Sequence, residues 1–164
     1  MQAFSSQWPL GTGASIRWPA GNAIAAEGNS GVAAAIDNRR GAIGYISSFN
    51  PTSSLKIAAL QNKAGEFQRP NLISAAKALK AIELDFNLAG SSPNPSVEGA
   101  YPIVTLIWVL AYRSGNGENT PAIRAALDFM LSSQAQSQVA ELGLIPLETE
   151  IVSKSRPVVE RIAQ

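Results

Sequence analysis

The residues Glu27 to Ile46, EGNSGVAAAIDNRRGAIGYI, constrain the fold more than any other stretch of this chain. A Gly28-Asn29-Ser30-Gly31 turn opens a helix of small residues. The helix closes at Asn38-Arg39-Arg40-Gly41 and runs with no spacer into the apolar Ala42-Ile43-Gly44-Tyr45-Ile46. From about Ser30 to Asn38, Val32, Ala35 and Ile36 share one helical face, and the alanines between them allow close approach to a sheet. A helix feeding directly into a strand is an αβ unit, so the chain is expected to be α/β.

The rest of the chain continues the alternation. Ser15 and Arg17 alternate with Ile16 and Trp18 in a strand over 14–18, stopped by Pro19. After the strand at 42–47, Asn50-Pro51 and the hydroxyls that follow read as a turn, and Leu55 to Leu60 as another strand. Gln61 to Phe67 reads as a hairpin turn with a short return strand, blocked by Pro70. Asn71 is suited to cap a helix from Leu72 to Ile82 with Ile73, Ala76, Leu79 and Ile82 inward. Residues 89–100, rich in Gly, Ser, Pro and Asn, form a loop. Ile103 to Ala111 is apolar at nearly every position and β-prone, which predicts a strand covered on both faces. Thr120-Pro121 starts a helix to 132, with Ile123, Leu127, Met130 and Leu131 on one face. A second helix spans 134–142 and ends at Gly143. A terminal helix starts at Ser153 or Ser155 and ends at Ile162.

Composition narrows the chemistry. Thirteen basic and twelve acidic residues leave a net charge of +1, and no basic cluster points to nucleic acid or a membrane surface. With no Cys and no His, disulfides, thiol nucleophiles, Ser-His-Asp catalysis and the common zinc sets are excluded. The amino-terminal residues have neither a basic region nor a continuous apolar one, so no signal peptide is expected in this chain. The run Ile103 to Ala111 is about half the roughly 20 residues of a membrane-spanning helix.

Several residues invite a functional reading. Gly28, Asn29, Ser30 and Gly31 at a helix N-terminus offer N–H groups and a dipole to an anion, worth roughly 0.3 to 1 kcal/mol when exposed. Glu27 beside them repels anions, and a capping role is favoured. Arg39 and Arg40 suit the negative helix end. Glu83 with Asp85 and Glu148 with Glu150 are the closest carboxylate pairs. They lack a companion base or metal-ligand pattern, so they read as surface charge, with no catalytic residue, metal or cofactor. Trp8, Trp18 and Trp108 read as core or interface anchors.

Taken in order, Gly11-Thr12-Gly13, Ile16-Arg17-Trp18-Pro19, Gly28 to Ala34, Gly41 to Ile46, Ala58 to Phe67, Tyr101-Pro102-Ile103, Phe129-Met130-Leu131 and Leu142 to Leu147 resemble the second lobe of the phosphate-binding proteins of phosphate ABC importers. The resemblance implies one lobe of a periplasmic-binding-protein-like fold over residues 1–164. Its sheet would be mixed and mostly parallel, flanked by helices on both faces. It also implies that the first lobe and the start of the second are absent. The full-length parent would be a non-enzymatic periplasmic or extracytoplasmic protein that captures inorganic phosphate and meets an ABC permease. In that family the phosphate ligands come from first-lobe loops and from an arginine followed by a Ser-Gly-Thr turn, none of which has a counterpart here. Gly-Thr-Gly lies in the loop before the Trp-Pro strand, so no ligand role passes to Thr12. The loop Gly28 to Gly31 is implied to face the ligand cleft in a supporting role. The alternative is a self-standing interaction or oligomerisation module of the same fold, a homodimer through an uncovered sheet edge. A carboxylate-dependent enzyme ranks third.

Overall fold

The computed structural model describes residues 3–13, 15–19, 21, 23–48 and 54–163. These fall into two compact units, bounded Met1–Ala58 and Ala59–Gln164.

In the first unit the alanine-rich stretch forms helix α1, Gly28–Asp37, which buries Ala33. The chain turns through Asn38 to Gly41, where Gly41 takes φ +82°, and Ala42 N–H donates to the Arg39 carbonyl. It then returns along the helix. A Cβ at Gly44 would lie 2.8 Å from Ile36 Cδ1 and 3.2 Å from Val32 Cγ1, so glycine lets the backbone approach α1. Ile43 and Tyr45, on either side, are 91% and 81% exposed. Residues 42–47, expected as a strand, join no ladder among the described residues. The expected turn at 49–54 lies almost wholly outside the described residues, as does Ala14, the start of the expected strand at 14–18. Residues 15–18 join no ladder.

The second unit opens with the expected hairpin: β1, Leu60–Gln61, pairs antiparallel with β2, Phe67–Gln68, in the register Leu60 to Gln68 and Gln61 to Phe67. This is the one ladder among the described residues, and of the strand expected over 55–60 it contains only Leu60. Helix α2, Leu72–Leu79, starts at Asn71 as its sequence predicts. Asn71 Oδ1 accepts from Ser74 N–H and Ser74 Oγ accepts from Asn71 N–H, a reciprocal capping box that satisfies two donors at the helix start. Its inward face differs from expectation. Ala75, Ala78 and Leu79 are buried, with Ile82 beyond the helix end, whereas Ile73 is 75% exposed. Of the four residues expected inward, Leu79 and Ile82 are buried and Ala76 half-buried, while Ile73 in the first turn is not, because packing there buries Ser74 and Ala75 instead.

Helix α3, Thr120–Met130, follows a short 3-10 turn at Gly117–Asn119. The position before the helix is Asn119. Thr120, expected to cap, is instead buried in the helix and donates from Oγ1 to the Gly117 carbonyl at 2.8 Å. Helix α4, Ser133–Gln138, is capped by Ser132 Oγ accepting from Ala135 N–H. It is shorter than expected, since turns occupy 139–143 before Gly143 takes the anticipated left-handed φ of +73°. Helix α5, Thr149–Glu160, begins earlier than expected and carries Pro157 within it. The Glu150 to Lys154 ion pair at i, i+4 spacing, 2.7 Å, supports its first turns. Helix α3 packs against both α4 and α5. Ala78, Leu79, Ala100, Pro102, Val159 and Ile162 are among the buried core residues of this unit.

Residues 103–112 depart most from expectation. Ile103 to Ala111, expected as a strand covered on both faces, joins no ladder among the described residues; Ile107, Val109 and Leu110 are 59–93% exposed, and Tyr112 just beyond is 81% exposed. β-propensity describes a fit to a pleated surface, and among the described residues no neighbouring strand supplies one.

Candidate functional site

The turn at the start of α1 is built by backbone rather than by a capping side chain. Glu27, at φ −87° and ψ 123°, is the extended residue before the helix and makes no side-chain cap. Gly28 takes φ +62°, a left-handed value that costs glycine little. Gly31 N–H donates to the Glu27 carbonyl at 3.1 Å. The cap expected from this turn is not made by Asn29. Its Oδ1 accepts from Ser47 N–H at 3.1 Å, tying the helix start to the end of the returning segment. Gly28 and Ser30 are exposed, and Asn29 and Gly31 half-buried. The arrangement is an open helix N-terminus with Glu27 adjacent. It attracts an anion weakly and encloses none.

Other candidates have structural employment. Arg39 and Arg40 lie exposed beyond the helix end. Asp85 Oδ1 accepts from Asn87 and Ala89 N–H at 2.8 and 2.9 Å, closing a turn in which Leu88 takes φ +62°. Glu148 precedes α5 and lies 3.8 Å from Lys80, while the Lys154 ammonium holds the Glu150 carboxyl below its usual range. Trp8 and Trp18 form an edge-on pair with centroids 5.7 Å apart, and Trp8 Nε1 donates to the Gly11 carbonyl. Trp108 Nε1 donates to the Leu88 carbonyl at 2.7 Å. Among the described residues no three carboxylates gather closely enough to hold a metal ion.

One polar cluster was not visible in the sequence. Asn62, 4% exposed, donates from Nδ2 to Glu66 Oε2 and to the Ala100 carbonyl, each at 3.1 Å, and accepts at Oδ1 from Glu66 N–H at 2.9 Å. Glu66 Oε2 also accepts from Gly99 N–H. That amide, followed by the Asn62 amide, holds the Glu66 carboxyl below the usual carboxylate range. The i, i+4 Asn to Glu spacing across the Gly65 turn is its only sequence signal, and the partners lie more than thirty residues away.

No family model matches the chain. The chain is similar, however, to a binding protein. That relative is the phosphate-binding protein PstS of Pasteurella multocida (strain Pm70), 31% identical over 158 residues. The match covers 93% of this chain and 42% of the relative, so the chain spans about two fifths of that protein's length.

Proposed function

We propose that this chain is the C-terminal lobe of a substrate-binding protein for phosphate import. The observation that carries the reading is the similarity to the Pasteurella phosphate-binding protein along almost the whole of this chain and under half of that relative. The complete protein would be periplasmic. It would capture inorganic phosphate between two α/β lobes and pass it to an ABC permease, without catalysis. In this reading the lobe's sheet is mixed and mostly parallel with helices on both faces. The exposed β-prone residues at 43–45 and 103–112 would be covered by strands supplied from the rest of the polypeptide. The loop Gly28 to Gly31 would border the cleft as support, with Asn29 engaged by Ser47.

A closed cleft excludes water, and the interactions that hold an oxyanion depend on that exclusion. Two unit charges at 4 Å attract by about 1 kcal/mol in water and about 4 kcal/mol at the effective dielectric of a protein site. The lobe alone is therefore expected to bind phosphate weakly or not at all in calorimetric titration. A micromolar or tighter affinity would overturn that expectation. A chimera placing residues 1–164 after the part of the Pasteurella protein that they do not match tests the wider reading. Phosphate binding by the folded chimera is the expected result, and a folded chimera without it refutes the assignment.

The exposed apolar run also favours a second reading, in which another copy of the chain covers it in a homodimer.

A further inference from the structure

The cluster around Glu66 joins three separate pieces of the second unit. The β1–β2 hairpin supplies Asn62 and Glu66, the loop after residue 94 supplies Gly99 and Ala100, and α2 supplies Lys77. Gly99 takes φ +71°, and a side chain there would collide with Lys77 Nζ. Beyond Gly99, Ala100 is fully buried, Tyr101 N–H donates to the Ser74 carbonyl at 2.9 Å, and the Pro102 carbonyl accepts from Asn94 N–H. The apolar run at 103–112 starts immediately afterwards.

We propose that the Glu66 carboxylate is an acid-released clasp, holding the 96–100 loop and the root of the apolar run to the hairpin while it is ionised. One oxygen receives N–H donors from both Gly99 and Asn62, so both bonds are charge-assisted and roughly twice as strong as neutral ones. Protonation at the other oxygen, Oε1, leaves Oε2 a neutral carbonyl acceptor, so both bonds lose their charge assistance and the attraction to Lys77 vanishes. Gln68 adds a neutral side-chain donor. The remaining titratable side chains on these pieces are Lys63 in the hairpin and Glu98 and Tyr101 in the loop. The Glu66 carboxyl titrates below its ordinary value of 4.5 when the clasp is closed. Its contribution is thus complete above that value and is lost as pH falls through the lowered folded value.

The clasp is independent of the phosphate reading, and its test contains no phosphate. Backbone amide NMR of the whole chain between about pH 7 and about pH 3 should show the Gly99 proton moving with the Glu66 carboxyl, at a midpoint below the ordinary value of 4.5. In Glu66→Gln that transition should disappear. Exchange protection at Tyr101 should then fall by about tenfold at neutral pH, while protection in α3 is kept. Glu98→Gln should leave the Gly99 transition in place. A Gly99 amide that does not titrate, that follows an ordinary carboxylate midpoint, or that behaves identically in Glu66→Gln refutes the clasp. The wild-type titration decides alone if the variant fails to fold.

Discussion

At the scale of single residues, Gly44 shows how little space separates the returning segment from α1. A methyl group there meets Ile36 Cδ1, the free end of a side chain that can rotate away, and Val32 Cγ1, whose χ1 is stiff in a helix. Gly44→Ala should therefore cost about 1 kcal/mol, and Gly44→Val about 2 to 3 kcal/mol, in denaturant unfolding of this unit. A neutral result for valine would show that the segment does not rest on α1. Asn71 is a residue whose role sequence could state fully, because a cap is local: its partner, Ser74, stands three positions away. Asn71→Ala should lower stability by about 1 kcal/mol. Asn29 looked equally suited to capping, yet its side chain bonds to Ser47, eighteen positions on. Nothing in the Gly-Asn-Ser-Gly turn announces that partner.

At the scale of elements, α5 carries a built-in weakness. Pro157 is exposed within the helix, where it cannot donate to the preceding turn and its ring crowds the carbonyl side. Substitution by alanine should raise the thermal midpoint, with a gain of about 1 to 2 kcal/mol, less than the full interior penalty of about 3 kcal/mol because the last turn lies close by. A fall in the midpoint would mean that the ring itself packs usefully. The helix nevertheless forms over its full length. Val159 is buried, Arg156 donates to the Leu131 carbonyl at 3.2 Å, and Ala163 N–H donates to the Arg113 carbonyl at 2.7 Å. These contacts hold its C-terminal half, whereas the helix, expected to start at Ser153 or Ser155, starts at Thr149. Its first turns read as polar, and the ion pair between Glu150 and Lys154 supports them. By contrast α2 and α3 were legible within a few residues, since each combines a start signal with a repeated apolar face.

At the scale of the molecule, the residues at 103–112 expose a run of apolar surface. Ile107, Leu110 and Tyr112 are 70%, 93% and 81% exposed, and a β-prone run of this kind favours pairing with another chain. Sedimentation velocity over a concentration series should show self-association. Leu110→Lys combined with Ile107→Lys should reduce it, since charge on an open strand opposes pairing. A wild-type chain that stays monomeric at high concentration would exclude the homodimer reading and leave the covering role to the rest of a two-lobed protein.

The sequence alone determined what depends on neighbours a few positions apart: the hairpin at 60–68, the Asn71 cap, the apolar period of α3 and the left-handed Gly143. Its ordered motifs also carried the resemblance to phosphate-binding proteins, and the similarity to the Pasteurella relative over 93% of the chain supports a relationship of that kind. Only the tertiary structure decided that Ile73 stays off the buried face of α2, where Asn29 spends its oxygen, and that Glu66 bonds to Gly99 across thirty-three positions. Such bonds form between segments far apart in the chain. Local propensity is set by near neighbours, so it holds no record of which distant groups burial will bring within hydrogen-bonding distance.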